Sequence, residues 1–365
     1  MAARLRSLAF PGALALAMLA GESCSSGGKS NGSGGGESAS SSGSGSSGGS
    51  GSSSSGGSGA GTGSGGGDSD GGSGGSSSGG PSLDADGGDG GSGIANVCAG
   101  GVVGGSRPAT VRTFAGYDCA TTPAPLVILL HDYASSGSLA EAYFNFDAQA
   151  DILGFLYVHP DGTKDSSGNE FWNATDACCN VNGSTVDDSS YLLDLISQIR
   201  DQFNVDKNRI YIVGYGNGGF MAYRMACDHG LQIAAIADLG GAMWADLSKC
   251  DLKAPVGAVE IHGTDDATFD YDGGTNLGAI YPSAPVTATN WVAEDHCANA
   301  PSDAGASLDL DTSIPGAETT VTNWGLCPGA TNIALWSIVG GSHTPVLSSS
   351  FAPSVLAFLL AQTKL

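Results

Sequence analysis

The chain has 365 residues, 41% of them hydrophobic, and a formal net charge of −23 at pH 7. Nucleic acids and anionic lipid headgroups repel such a protein, so both are excluded as partners and neutral or cationic partners are expected. The sequence contains no motif for a nucleotide, a flavin or a metal ion, so we expect no cofactor and no metal.

The first 23 residues have the pattern of an export signal. Arg4 and Arg6 precede an apolar run over residues 8–20, which is too short to span a bilayer. Small residues then lead to Cys24, as in a bacterial lipoprotein, although residues 21–23 match the usual lipobox poorly. We therefore expect export from a bacterial cell to its surface or to the extracellular space. Attachment to the membrane through a lipid on Cys24 and free release both stay open.

Composition divides the rest of the chain into a linker and a domain. Residues 24–95 are nearly all Ser and Gly, and such a segment buries too little apolar surface to offset its chain entropy. It is expected to be a flexible tether. Residues 96–365 contain alternating apolar strands and helical periodicity, and their number suits one α/β domain.

The domain contains an even number of cysteines: Cys98, Cys119, Cys178, Cys179, Cys227, Cys250, Cys297 and Cys327. In an exported chain this predicts disulfides, and the absence of any C-x-x-C pair argues against a metal site. Proximity in sequence favours a bond between Cys98 and Cys119 and another across the segment 297–327. The adjacent cysteines at 178–179 are then expected to bond to Cys227 and Cys250, in an order that stays open.

Strands and helices alternate along the domain. Strands are predicted at 126–131, 155–159, 209–215, 233–239, 256–261 and 333–339, and helices at 139–153, 187–203, 217–227 and 354–362. This alternation predicts right-handed crossovers and a doubly wound, mostly parallel sheet. Such sheets carry their sites at the carboxyl ends of the strands.

One segment, RIYIVGYGNGGFMAYRMACD over residues 209–228, reads as a strand, a sharp glycine-flanked turn and a helix. In the G-x-S-x-G elbow of α/β-hydrolases this turn presents a serine nucleophile. Here the central position is Gly216, which tolerates the strained backbone but carries no hydroxyl. Taken alone, the segment also fits an ordinary glycine-rich turn or a phosphate-binding loop.

Two later loops complete the expected constellation. The strand ending at residue 261 is followed by HGTDD, in which Asp266 is placed to orient a histidine. The last strand is followed by GGSH, whose His343 can act as a general base. The order nucleophile, acid, histidine is that of α/β-hydrolases. An exposed acidic turn is the alternative for Asp265 and Asp266.

With these motifs in this order, the domain resembles the secreted polyhydroxybutyrate depolymerase and feruloyl or acetylxylan esterase family. The similarity rests on LVILLHDYASSG, YVHPDGTKDSSGNEFWNATDACC, VDDSSYL, EIHGTDDATFDYDGG and GGSH. It implies an α/β-hydrolase fold and an ester substrate. It also implies that Asp266 and His343 are the acid and base of a catalytic triad, with Gly216 at the nucleophile position.

The resemblance also locates an oxyanion hole, formed by the backbone N–H groups of Tyr133 and Asn217. The loop after the first apolar strand normally reads His-Gly, whereas here Asp132 follows the histidine. A carboxylate beside the hole opposes developing negative charge. Asp132 and Trp172 are expected to line the substrate cleft, although a buried core position is the alternative for Trp172.

The sequence thus predicts an exported ester-hydrolase homologue that is impaired or inactive, because Gly216 lacks the attacking oxygen. One alternative is an active hydrolase in which His343, held by Asp266, activates water. Another is a non-catalytic binding protein for ester-bearing polymers or polysaccharides. In each case the ligand is an ester-bearing polymer or a small ester, and whether the chain is an enzyme stays open.

Overall fold

The computed structural model describes residues 100–298, 300–303 and 307–364. The expected export signal, Cys24, the Ser/Gly segment and the domain boundary at residue 96 lie outside these residues. Among the helices of the described chain, none has both the length and the apolar character to cross a bilayer.

Fourteen strands and six α-helices make up the described chain. The strands are β1 (Gly101–Val103), β2 (Ala109–Val111), β3 (Ala124–Leu130), β4 (Leu156–Val158), β5 (Thr163–Lys164), β6 (Glu170–Phe171), β7 (Val205–Tyr215), β8 (Ala235–Leu239), β9 (Gly257–Gly263), β10 (Gly274–Asn276), β11 (Ala279–Tyr281), β12 (Ser302–Asp303), β13 (Thr319–Trp324) and β14 (Ile333–Ile338). The helices are α1 (Gly137–Phe144), α2 (Asp147–Leu153), α3 (Asp188–Gln202), α4 (Asn217–His229), α5 (Ala284–Glu294) and α6 (Phe351–Leu360).

An eight-stranded sheet with the order β12-β13-β14-β9-β8-β7-β3-β4 forms the centre of the domain. Six of its strands, from β14 to β4, run parallel, whereas β13 pairs antiparallel with β14 and β12 pairs antiparallel with β13. The predicted doubly wound, mostly parallel sheet is therefore confirmed, and the fold is that of an α/β-hydrolase. The carboxyl ends of β3, β7, β9 and β14 are the edge that positions the site.

Both faces of the sheet are covered, which explains why its central strands read as continuous apolar runs. In β3 every residue is buried. Leu126, Ile128 and Leu130 pack in the apolar layer that contains α3, α4 and α5. Val127 and Leu129 point to the opposite layer, under α1, α2 and α6. Alternate residues of one strand thus serve two cores.

Two features differ from the sequence-based expectation. The single helix expected at 139–153 is two helices, α1 and α2, because Asn145 adopts a left-handed conformation with φ 55° and ends the first. The edge strands β12 and β13 and the short pairs β1–β2, β5–β6 and β10–β11 were not predicted. Their half-exposed, partly polar sequences lack the apolar runs that mark the central strands.

The disulfides correct one expectation. Cys227 bonds to Cys250 and Cys297 bonds to Cys327, the latter as predicted. The adjacent cysteines at 178–179 bond to each other, so their expected bonds to Cys227 and Cys250 are wrong. The reason is that Cys250 follows a short turn that brings its Cα within 4.9 Å of that of Cys227. Disulfides fit export to an oxidising compartment.

Cys119 is disulfide-bonded as well. Its predicted partner, Cys98, lies outside the described residues.

Candidate active site

The elbow after β7 has the predicted strand–turn–helix form. Gly216 lies between β7 and α4 with φ 50° and ψ −114°, in the region that favours glycine. Its N–H donates to the carbonyl of Leu239 at 2.9 Å, which ties the turn to the end of β8. At Gly218 an added Cβ would overlap the carbonyl of Leu130, so glycine there lets the helix approach β3 closely.

The expected acid and base meet beside this turn. Nδ1 of His343 lies 2.8 Å from Oδ2 of Asp266. The other oxygen of Asp266 accepts the N–H groups of Thr268 and Phe269 at 2.7 and 2.9 Å, which fixes the carboxylate. Asp266 is buried, whereas the neighbouring Asp265 is exposed. The structure therefore distinguishes the two acids and joins Asp266, rather than Asp265, to the histidine.

Asp132 occupies the place where a nucleophilic side chain would lie. Its Oδ2 is 3.3 Å from Nε2 of His343, on the side of the ring opposite Asp266. A Cβ built on Gly216 would overlap the Asp132 carboxylate. The carboxylate thus fills the space that a side chain at 216 would need. A side chain at 216 and the carboxylate in its present position exclude each other.

The same carboxylate also occupies the expected oxyanion hole. Oδ1 of Asp132 accepts the backbone N–H of Tyr133 and that of Asn217, both at 2.7 Å. The sequence placed this acid beside the hole, and the structure places it inside. Both N–H groups persist, and both already donate to a carboxylate oxygen.

The charges around His343 favour its protonated form. Burial alone would lower its pKa, but hydrogen bonds to the carboxylates of Asp132 and Asp266 outweigh burial and raise the pKa to about 9. Burial would likewise raise the pKa of Asp266, yet hydrogen bonds from His262 and His343 hold it well below its usual range. At neutral pH the site contains an imidazolium between two carboxylates.

A buried polar group behind Asp266 was not predicted from the sequence. His262 lies with Nδ1 3.1 Å from Glu260 and Nε2 3.3 Å from Asp266. Burial opposes the charged ring, but bonds to both carboxylates raise the pKa of His262 to about 10. Tyr223 donates to Glu260 at 2.8 Å. Burial, together with the nearby Glu260, raises the pKa of Asp238 well above its usual value.

A signal for this group does exist in the sequence. Glu260 lies inside the apolar run of β9, every residue of which is buried. A carboxylate in a buried strand needs a partner, and the nearest candidate along the same face is His262, two residues on.

Trp172 supports the elbow from inside the core. Its backbone N–H and carbonyl bond to the side-chain amide of Asn217 at 2.6 and 2.9 Å. Its indole N–H donates to the carbonyl of His131 at 3.1 Å. Because the side chain is 0% exposed, the structure does not place Trp172 on an open cleft, and its expected role there is corrected to that of a core residue.

Tyr215 covers one face of the His343 ring. Its ring stacks on the imidazole of His343, with centroids 5.3 Å apart and an interplanar angle of 27°. Its hydroxyl bonds to the hydroxyl of Thr344. The aromatic face and the two carboxylates together fix the plane of the histidine ring.

Two side-chain groups in the described residues lie close enough to share a metal ion, namely Asp295, Cys297 and Cys327, and His131, Asp161 and Glu170. Both cysteines of the first group are in a disulfide. In the second, Nε2 of His131 already accepts the N–H of Gly162 at 2.9 Å. Neither group is assigned a metal.

No protein-family profile matches the chain. A bifunctional acetylxylan esterase/xylanase of Neocallimastix patriciarum is 25% identical over 224 residues, which cover 60% of this chain and 29% of the relative. Feruloyl esterase C of Emericella nidulans is 26% identical over 149 residues, covering 40% of this chain and 48% of the relative. The chain is a distant homologue of these esterases. It spans less than half the length of either.

Among solved structures, an acetyl xylan esterase from Aspergillus awamori aligns with a TM-score of 0.48 and 13% identity. The alignment covers 69% of this chain and 93% of that one.

Proposed function

We propose that this protein is an esterase homologue that has lost hydrolysis through a serine acyl-enzyme. One observation carries the proposal: the Asp132 carboxylate fills both the nucleophile space at Gly216 and the pair of N–H groups that would bind an oxyanion. In acyl transfer the nucleophile attacks the carbonyl carbon and the hole receives the negative oxygen. Here both positions are occupied.

The size of the expected loss follows from the chemistry. Removing the nucleophile of a triad costs on the order of 10⁶ in turnover. Blocking the oxyanion hole removes the stabilisation that remains in such a variant, which is otherwise about 10³- to 10⁴-fold over water. Ester hydrolysis by the unaltered chain is therefore expected to stay near the uncatalysed rate.

Activation of water by His343 and Asp266 is the active alternative, and the charges of the site argue against it. A histidine that acts as a general base must be unprotonated, and therefore neutral, at the working pH. With a pKa raised to about 9, His343 carries a proton at neutral pH. Its Nε2 also faces Oδ2 of Asp132 rather than open space.

For the ligand, we propose an ester-bearing polymer or a small ester, because the two relatives above are named for acetylxylan and feruloyl esters. If the site is inert, the protein binds this ligand without hydrolysing it. We also propose export, which the signal-like N-terminus and the disulfides of the domain support.

The proposed loss of serine-based hydrolysis is tested by building a serine triad into the site. Hydrolysis of p-nitrophenyl acetate is measured for the unaltered chain, Gly216→Ser, Asp132→Gly and the double variant Asp132→Gly/Gly216→Ser. We expect turnover from the double variant alone, since a serine at 216 collides with the Asp132 carboxylate unless that carboxylate is removed. The gain over the unaltered chain should reach at least about 10³-fold.

The matched control adds His343→Ala to the double variant, which should abolish the gain. Robust turnover by the unaltered chain that depends on His343 would overturn the proposal. So would full activity in Gly216→Ser alone, because the carboxylate would then not be the obstacle.

A further inference from the structure

We propose that Asp132 is itself a nucleophile toward saturated carbon, and that the protein hydrolyses alkyl halides to alcohols through an ester on the Asp132 side chain. This activity goes beyond the proposed function, because it needs neither a serine nor an ester substrate. The geometry points to it: one oxygen of Asp132 is held by two N–H donors, and the other faces a histidine that a second acid orients.

Asp132 has the surroundings that a covalent nucleophile requires. A nucleophile within reach of a base, with the base oriented by a third group, is the general form of a catalytic triad, and carboxylates serve as nucleophiles in several enzyme classes. Asp132, His343 and Asp266 fit these three positions. The side chains of Asp132 and His343 keep 14% and 10% exposure, so each retains some contact with solvent.

The occupied hole selects the substrate class. Attack on an ester carbonyl creates a negative oxygen on the substrate, and the two N–H donors that would stabilise it are bound to Oδ1 of Asp132. Displacement at a saturated carbon creates no such oxygen. The negative charge leaves with the halide, so the first step does not need the hole.

In the first step, Oδ2 of Asp132 bonds to the substrate carbon while the carbon–halogen bond breaks and its electron pair leaves with the halide. The carboxylate becomes a neutral ester. One of the two charges that hold the proton on His343 is thereby removed, so the pKa of the ring falls and Nε2 releases its proton to solvent. The groups that still face the ring are Asp266, with His262 behind it, and the neutral Tyr215 and Phe269.

In the second step, water attacks Cγ of the Asp132 ester while Nε2 of His343 takes its proton. The negative charge develops on Oδ1, where the N–H groups of Tyr133 and Asn217 already donate. Collapse breaks the Cγ–Oδ2 bond, and the alcohol leaves with the proton from Nε2.

The new carboxylic acid then returns its proton to His343. An alkyl halide and water have become an alcohol, a halide ion and a proton. The oxyanion hole inherited with the fold thus stabilises an intermediate on the enzyme's own side chain.

The test uses the full chain and 1-bromobutane in ¹⁸O-labelled water. We expect bromide release, and we expect the peptide containing Asp132 to gain one heavy oxygen, because water enters the side chain and the former Oδ2 leaves with butanol. In His343→Gln the second step is blocked, so one butyl group per chain should accumulate on that peptide. Asp132→Asn should lower bromide release by at least about 10³-fold and form no adduct.

Asp265→Asn is the matched control, since it removes an exposed carboxylate of the neighbouring loop and should leave bromide release unchanged. Bromide release without label at Asp132 means direct attack by water and overturns the proposal. The absence of both bromide release in the unaltered chain and a butyl adduct in His343→Gln also overturns it. Neither outcome bears on the nitrophenyl ester assay, so the two proposals fail separately.

Discussion

The residues on the two sides of the His343 ring differ in how closely they match the site expected of an α/β-hydrolase. On the Nδ1 side, loops after β9 and β14 provide an acid–histidine pair with a 2.8 Å contact and a buried polar group behind it. On the Nε2 side, the loops after β3 and β7 provide Asp132 and Gly216, where the resemblance to α/β-hydrolases predicts a glycine and a serine. In keeping with the proposed loss of the serine, we call the Nδ1 side the retained half and the Nε2 side the rebuilt half.

The largest effect is expected on the retained half. Glu260→Ala leaves the buried His262 and Tyr223 without a shared partner, and breaking a buried ionic contact typically costs about 3–5 kcal/mol. The free energy of unfolding, measured in urea by circular dichroism, should fall by this amount. Asp265→Asn, in an exposed position, should change it by less than about 0.5 kcal/mol. An equal, small loss in both variants would show that the polar group contributes nothing to stability.

An intermediate effect is expected on the rebuilt half. Gly216→Ala adds a Cβ that overlaps Asp132 and sits at φ 50°, which together should cost about 1–3 kcal/mol. Asp132→Gly removes the overlap but not the backbone strain, so part of this cost should disappear in the double variant. A double-mutant cycle of unfolding free energies measures the coupling, expected at about 0.5–3 kcal/mol. Additive costs would mean that the two residues do not compete for one space.

The smallest effect is expected on the pKa of His343, whose ring contacts a carboxylate in each half of the site. The pKa of His343, about 9 in the unaltered chain, should move down toward its usual range in Asp132→Asn, since one of its two carboxylates is lost. NMR titration of the ring measures this. The raised pKa stabilises the fold fully below the unfolded value of about 6.5, and that contribution is lost as pH rises through 9.

The unaltered chain should therefore lose more stability than Asp132→Asn between these two pH values. His262, whose pKa is about 10, titrates in both proteins and cancels in the difference. An unchanged pKa of His343 in Asp132→Asn would show that Asp132 does not raise it.

Periodicity predicted the central sheet well, because strands such as β3 are apolar throughout and glycine-rich turns follow them at the site edge. The antiparallel edge and the break at Asn145 were missed, since both depend on local packing rather than on an apolar pattern. In the site, motif order identified the residues that meet. Motif order could not show that Asp132 enters the hole, because that depends on the space left at Gly216, which lies in a separate loop, 84 positions further along the sequence.

The overlap between position 216 and the Asp132 carboxylate also constrains the history of the site. A side chain at 216 would overlap the Asp132 carboxylate in its present position. With glycine at 216, position 132 can carry either a glycine or an aspartate. Under the proposed loss of a serine, glycine must therefore have appeared at 216 before, or together with, the aspartate at 132. Installing a serine at 216 requires that the carboxylate at position 132 be removed first or in the same step.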